Sequence, residues 1–578
     1  MSSLPFEVFL NSAAEELTNV LSQFENPLFF FPKRLSSFVA LFINRIPVEK
    51  QPKRYFIESI KESTGHNNVV CLTTNDKSYI DQLSSSLKKA PKYIKTILVI
   101  PKITAYLRQS FIDAEFTVID HKPTSGKDVC IREYLCDFLP ISNDFLLMPS
   151  VNVLSQLLFD HDYTELVSVA RSLSKIQIVF GQIPHVVTFG KYSHKTYNLL
   201  KGIMDHCNMP SSIAHIDSLI LIDRTTDLVT PLLTICPVEG LIDNSLGIDY
   251  GRIEFPENFV PDSKIVDSRL LTLKNNDPIF QHYRHNHMST ASSWIKNKTT
   301  EIEGDCGNLL EALDEVKQRG NMRELSSLAT NTKDNEKLHN YMQLHIQLIE
   351  YVSSQFTNIY GFRPIISQEG SLLKGDNNYP DLIDNLIFSK NDWLNAMGLL
   401  FLQKLTNLRV RKDYIKNIFS EIQLEYGLEQ AAKSFINIDN FFKFSNDEKV
   451  FEWDAIKKSL NLVDEKTTDP LYSSYDQYIP LSIKLIQKVV DNDLSTKWTK
   501  NFNQKINQIH TYGNPPKKGE NEPRKVLVFF IGGVTLGETS LLRHMGESHY
   551  KGNVEFIVGS TDKINRKSLI TQFCPFLQ

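Results

Sequence analysis

A basic surplus is missing from this chain. Lys and Arg number 63 against 67 Asp and Glu, a formal net charge of −4. A general nucleic-acid binder shows a basic excess or patch, so partners are expected among proteins, with no nucleic acid. Cysteine is sparse. Cys71, Cys130, Cys136, Cys207, Cys236, Cys306 and Cys574 make an odd count with no Cys-x-x-Cys pair. That argues against a disulfide framework or a zinc ribbon. Most of the seven sit in apolar runs, as free thiols do in a reducing compartment. No uncharged apolar run approaches the roughly 18 residues that a bilayer span needs. The stretch MSSLPFEVFLNSAAEEL lacks the basic-then-apolar order of a secretory signal. A cytosolic address is therefore expected, with membranes reached indirectly through partners. Internal repeats and low-complexity tracts are absent too, and the one clear exposed linker is YGNPPKKGENEP, from Tyr512.

What is present is the composition of an ordinary folded protein: 41% apolar and 22% charged residues over 578 positions, a length suited to roughly three to four domains. Short apolar runs alternate with helix-like stretches in the first part. LFFFP from Leu28, NNVVCLTT from Asn67, KTILVIP from Lys95 and EFTVIDHK from Glu115 read as strands. Strands spaced by helices imply a parallel sheet covered on both faces. A second α/β unit is expected from NDFLLMP (Asn143), KIQIVFGQIPHVVTF (Lys175) and DSLILIDR (Asp217). Its remaining strands return only at KVLVFFIGG (Lys525) and VEFIVGST (Val554). The sheet is thus expected to be interrupted by a helix-rich insertion over roughly 246–474. Within it, Leu338, Met342, His345, Ile349 and Val352 recur at helical spacing. DCGNLLEALDEVKQRGN reads as a helix stopped by Gly320, and NDWLNAMGLLFLQKLTNL as a buried one.

The segment KVLVFFIGGVTLGETSLLRHM imitates a nucleotide site, since Gly532 and Gly537 have the spacing of a phosphate-cradling loop. That loop needs a Lys ammonium after its last glycine, and here Glu538 stands there. A carboxylate in the first helical turn fits a strand-turn-helix of structural purpose instead. His282, His285 and His287 suggest a metal, but spacings of three and five do not share one helix face, and no Cys or carboxylate adjoins them in sequence. No metal and no cofactor is expected. In LIDRTTDLVTPLLTICPVEGLID, Asp223, Arg224 and Asp227 follow a buried strand, with Pro231 marking the exit. Carboxylates at strand ends serve active sites, and Asp–Arg networks also fasten strand ends to their neighbours. Residue types alone do not choose between a hydrolase using Asp223 and Asp227 and a structural clamp.

That segment resembles the signature of the Sec/Munc-type (SM) proteins, which bind SNAREs in vesicle fusion. Asp223 to Leu233 matches their pattern DRxxDxxTPLL. Gly532, Gly533, Thr535, Glu538 and Arg543 are similar to the family's C-terminal GGxT…E…LR element. TICPVEGLID with GIDYGRIEFP, FGQIPHVVTFGK, LEYGLEQAAKSFINIDN and SSYDQYIPLSIKLIQ resemble the vacuolar and lysosomal sorting branch, the SM subunit of HOPS and CORVET tethers. The resemblance implies an α/β fold class in a three-domain arch. Its domain 1 spans 1–140, and domain 2 is split between 141–245 and 475–578. A helical hairpin, domain 3a, spans 246–360, and a second helical part, domain 3b, spans 361–474. It also implies a non-enzymatic protein that templates an R-SNARE and a Qa-SNARE in register and docks on a helical-solenoid tether subunit. The other reading is an SM protein of the endosome, Golgi or plasma membrane. SNARE contacts are expected on the hairpin, with Arg319, Arg323, Lys333 and Lys337 as candidates. Asp223, Arg224, Asp227, Pro231, Gly532, Gly533, Thr535 and Glu538 are expected to be structural.

Overall fold

The fold comes from a computed structural model that describes residues 4–60, 68–74, 77–100, 102–134, 136–150, 152–207, 214–256, 270–273, 277–319, 338–339, 341–355, 361–376, 382–383, 385–386, 392–406, 410, 412–447, 453–467, 469–494, 509–516 and 522–574. The first sheet holds β1 (Leu28–Phe31), β2 (Lys53–Phe56), β3 (Asn68–Thr74), β4 (Ile94–Ile100), β5 (Thr117–Ile119) and β6 (Asp128–Glu133), in the order β2-β1-β3-β4-β6-β5. Every neighbouring pair in it is parallel. Alternate residues feed two cores. Phe29, Phe31, Val70, Leu72, Leu98 and Ile100 face one side, and Phe30, Val69, Cys71, Ile97 and Val99 the other. Helices cover both faces, as a parallel sheet requires.

The second sheet begins with β7 (Leu139–Ser142), β8 (Phe145–Leu147), β9 (His185–Phe189) and β10 (Ser218–Asp223). A two-stranded hairpin, β11 (Arg252–Glu254) and β12 (Leu270–Thr272), precedes the helical part. Strands β13 (Ile509–Gly513), β14 (Arg524–Ile531) and β15 (Val554–Ser560) then return, giving the order β13-β9-β10-β14-β15-β8-β7. The four inner pairings are parallel and the two edge pairings antiparallel. On β14, Val526, Val528 and Phe530 join the core shared with the helices, while Leu527, Phe529 and Ile531 face the opposite core. The interrupted sheet is therefore real, and its centre is the β10–β14 seam.

Three expectations change. The run from Lys175, expected as strand, is helix at its start: Lys175–Phe180 ends the helix Thr164–Phe180, and β9 starts at His185. Leu166, Val169, Ala170, Leu173, Ile176 and Phe180 form its buried stripe, while Ile178 and Val179 are exposed. The run is one flank of an amphipathic helix, closed by Gly181. The linker starting at Tyr512 loses its first two residues to β13. The helix placed at Asp305 starts at Met288 and runs 32 residues to Arg319, about 48 Å at ~1.5 Å per residue.

The facing helix, 341–355, buries Met342, His345, Leu348, Ile349 and Val352. His345 sits within this apolar stripe, hydrogen-bonded through one ring nitrogen. Its Nδ1 shares a 2.6 Å hydrogen bond with the Tyr283 hydroxyl, and its Nε2 lies 3.3 Å from Asp277. Asp277 in turn accepts the Tyr341 hydroxyl and the Ile279 and Phe280 N–H groups.

Candidate functional site

At the end of β10 the chain turns sharply. Asp223 closes the strand, Arg224–Thr226 makes a single 3-10 turn, and Asp227 follows. Alongside, β14 pairs Ile531 with Asp223 and then passes through Gly532 and Gly533, at φ +97° and +111°. Side chains rarely adopt that region, and they would also collide here. A Cβ on Gly533 would lie 2.8 Å from the Ile564 Cβ, and one on Gly532 would lie 3.0 Å from the Arg224 Cβ. Two glycines thus let the turn approach the arginine. Thr535 then caps the helix Leu536–His544. Its hydroxyl accepts the Glu538 N–H at 3.1 Å, and Glu538 accepts the Thr535 N–H at 2.9 Å. This reciprocal box satisfies two N–H groups that a helix start leaves open.

The two turns meet through Arg224 and Glu538. Nη1 donates to both carboxylate oxygens at 2.9 and 3.1 Å, and Nη2 adds a 3.1 Å bond. Nη1 also lies 3.4 Å from the Gly533 carbonyl, and the guanidinium lies over Phe530. The Ser482 hydroxyl donates to Glu538 as well. Asp227 stands 3.6 Å from Arg224. It accepts the Thr230 N–H at 3.0 Å and hydroxyl at 2.6 Å, and the Ser482 N–H at 3.1 Å. Pro231 lies in the next turn, Thr230–Leu232. Asp223 belongs to a different node. It accepts the Tyr192 N–H at 2.9 Å and the Thr225 hydroxyl, and Gly190 leaves room for it.

Arg224, Asp223, Asp227 and Glu538 are all 0% exposed. Burial would lower the Arg224 guanidinium, but Glu538 and Asp227 outweigh it and hold the group above its ordinary value. Burial raises Asp223 against its Thr225 and Tyr192 hydrogen bonds, and raises Asp227 against Arg224. All four oxygens of Asp223 and Asp227 are occupied by chain donors. Both carboxylates face chain donors inside the fold, away from solvent. The space a phosphate would need beside Gly537 holds Tyr475, whose hydroxyl would sit 2.3 Å from an added Cβ and bonds Thr535 at 2.8 Å.

A second buried pair was not anticipated from the sequence. Arg566 bonds Glu369, the Leu232 carbonyl at 2.7 Å, Asn395 at 2.6 Å and Thr234 at 3.2 Å. It fastens the loop after β10 to the helices Phe362–Lys374 and Trp393–Leu405. No sequence pattern announces it, beyond a capping residue, Asn565, just before it.

The three histidines splay apart. His282 stacks on Trp294, His285 shares a 2.6 Å bond with Ser540, and His287 bridges Pro237 through its backbone. A carboxylate does adjoin them in space, Glu239, 3.9 Å from His285. Burial nevertheless pushes His285 down to about 4. Among the described residues no cluster of three or more His, Cys, Asp or Glu can hold a metal. Of the hairpin candidates, Arg319 is the last residue of its helix. Arg323, Lys333 and Lys337 lie outside the described residues.

A family model described as the Sec1 family matches residues 43–572. The vacuolar protein-sorting-associated protein 33 homolog of Arabidopsis thaliana is 25% identical over 474 residues, covering 77% of each chain. The vacuolar protein sorting-associated protein 33A of Rattus norvegicus is 23% identical, over 77% of this chain and 76% of its own. Among solved structures, the SM protein Vps45 in complex with the Qa SNARE Tlg2 superposes with a TM-score of 0.57 at 14% identity, covering 98% of this chain and 97% of that one. The Unc18–syntaxin 1 complex from Monosiga brevicollis gives 0.55 at 12% identity, over 98% and 99%. At such identities the structural likeness speaks for the fold.

Proposed function

The chain belongs to the Sec1 family, and from that premise we propose that it binds SNARE proteins and holds an R-SNARE and a Qa-SNARE in register for membrane fusion. It does so at the vacuole, lysosome or late endosome, as the SM subunit of a HOPS- or CORVET-type tether docked on a helical-solenoid subunit. The observation that carries this reading is the 77% coverage, in both directions, of a relative named for vacuolar protein sorting. The fold adds support, because it is that of an SM protein solved with a Qa SNARE. Association with membranes is indirect. Among the described residues no helix is long and apolar enough to cross one.

The work is binding and pre-organisation, since coiled-coil SNARE segments are read as helices laid in grooves. The protein is not an enzyme on this reading. Support comes from the complete burial of Asp223, Asp227 and Glu538 and from the chain donors on both aspartates. The SNARE contact lies on the hairpin that the helix Met288–Arg319 begins, with Arg319, Arg323, Lys333 and Lys337 setting on-rate and register.

The test is a pull-down from cytosol with the tagged protein, paired with titration of purified SNARE cytosolic domains. Recovery of solenoid tether subunits and of a vacuolar Qa-SNARE is expected. Recovery of SNAREs from another compartment without any tether subunit would move the protein to another SM branch. Saturable turnover of ATP or an ester would overturn the non-enzymatic reading.

A further inference from the structure

Among the described residues, the first sheet unit shares its core with Leu139 and Ile141 of β7, and it also meets the rest of the molecule at two apolar places on opposite faces of the second sheet. One is the start of the helix Glu7–Leu21. Phe6 and Phe9 meet Phe180 at 5.2 and 6.5 Å, and Phe9 meets Phe138 at 5.5 Å. They belong to one core of the second sheet, while Leu10, Ala13, Leu17 and Leu21 of the same helix belong to the first sheet. The other place is Tyr250. Its ring meets Phe38 edge-on at 5.6 Å, and it packs both on the first sheet's core and on the core that the second sheet shares with the helices.

The chain around Tyr250 is built to present that ring. Asp249 and Arg252 exchange reciprocal backbone bonds of 2.8 and 2.9 Å across a two-residue turn. Tyr250 and Gly251 occupy its centre at φ +46° and +75°. A tyrosine rarely adopts a positive φ, so the turn holds it at a conformational cost, and what the conformation secures is the ring's position. The turn is continuous with β11, and the Leu273 N–H just past β12 bonds the Gly251 carbonyl at 2.8 Å. That hairpin leads directly into the helical part. The packing on either side of the ring is incomplete. A cleft of about 70 Å³ lies between Leu35, Thr74 and Tyr79 of the first unit and Met148 and Ser150 of the second. A smaller one of about 40 Å³ lies behind it against Phe280 and Arg284. Tyr250 lines both. An interface packed like a protein interior leaves few such voids. The first lies in the seam beside the Tyr250 ring, the second on the ring's other side within the second unit and the helical part, and Ile141 packs on the same two cores as the ring.

We infer that Tyr250 is a positioning residue, a peg that fixes the angle between the first α/β unit and the helical part, and so sets where the first unit stands relative to the SNARE-binding hairpin. This rests on the SNARE-binding reading above. Phe6 and Phe9 act as the pivot and Tyr250 as the stop. Without the stop, the first unit samples a wider range of angles, and the binding-competent angle becomes a smaller fraction of the population. Apparent affinity falls in proportion to that fraction.

The test compares Tyr250→Ala and Tyr250→Phe with the unchanged protein. Pulsed electron-spin distances are measured between nitroxides carried by non-natural residues at Ser85 and Asn297. The expected result is a distance distribution at least doubled in width for Tyr250→Ala and restored in Tyr250→Phe, with the melting temperature and solenoid partner retained. SNARE Kd is expected to rise about tenfold if the competent fraction falls to a tenth. An unchanged distance distribution in Tyr250→Ala would overturn the peg, whatever the SNARE result. A broadened distribution in a protein that binds no SNARE would keep the peg and sink the functional reading. Should Tyr250→Ala prove too unstable to purify, Tyr250→Leu keeps apolar bulk without the ring edge and carries the same two outcomes.

Discussion

Arg224 and Glu538 meet as a two-pronged pair with neither side chain exposed. Removing the arginine leaves Glu538 as a buried charge whose main counter-charge is gone, with Asp227 close by. Breaking such a pair typically costs about 3–5 kcal/mol. Arg224→Ala is therefore expected to lower the melting temperature and to weaken SNAREs and solenoid partner together. A well-folded variant with one selective defect would show that the node has a contact role instead. Glu165 sets a pH dependence of its own. Burial pushes its carboxyl from 4.5 to about 7, against the hydrogen bond from Ser150. A raised folded value means that the native state holds the proton more tightly. The associated stability is full below about pH 4.5 and is lost as pH rises through 7. Glu165→Gln, which cannot ionise, is expected to gain up to about 3 kcal/mol over the unchanged protein at pH 8 and almost nothing at pH 4. Parallel melts at the two values check it. At this scale, half of the Arg224 node was open to sequence reading. Thr535-x-x-Glu538 is the local signature of a capping box. Its partner stands 314 positions away, and contact through space leaves no local period.

The element that most invites a wrong assignment is the turn between β14 and its helix. Glu538→Lys, which restores the phosphate-loop lettering, would set an ammonium beside Arg224 in a site without solvent. It is expected to destabilise the fold and to create no ATP binding by calorimetry. Saturable binding of ATP to the unchanged protein would contradict the structural reading of the loop. Gly533→Ala is expected to cost about 1–3 kcal/mol through its positive φ, with the contact to Ile564 adding to it. Strands β1, β3, β4, β10, β14 and β15 were legible because burial on both faces makes them continuous apolar runs. Strand β2 was not, since all four of its residues are exposed at the sheet edge, and β13 is an edge strand of mixed polarity. The helix ending at Phe180 misled for the converse reason. Ile178 and Val179 are apolar but exposed, which fills in the gaps of its period.

Across the whole molecule, the two functions proposed for the surface should separate. Reversing Arg319 and Arg323 to Glu is expected to weaken SNARE binding by a margin that shrinks at high salt, as exposed charge does, while the solenoid partner stays bound. Loss of both partners, or of neither, would place the SNARE contact elsewhere. The split sheet predicts a different failure. A chain cut at residue 508 lacks β13, β14 and β15, and both Ile220 and Leu221 then lose one of the two strands that lie beside them. Such a fragment is expected to be insoluble when expressed alone, as judged by sedimentation after lysis. Soluble, protease-resistant material would mean that the first part folds without its central strand.

The seam between β10 and β14 also bears on how the protein is made. Asp217 and Lys525, bonded across it, stand 308 positions apart. A ribosome adding roughly 5–20 residues per second needs about 15–60 s to travel between them. Throughout that interval the β14-facing edge of β10, a row of unpaired N–H and C=O groups, waits uncovered beside a growing helical insertion. A nascent chain in this state is a natural client for a chaperone, and a prematurely terminated one stays a client until it is degraded. A product that stops before β15 is therefore expected to leave the sheet open, because only a chain that has reached β15 can close it.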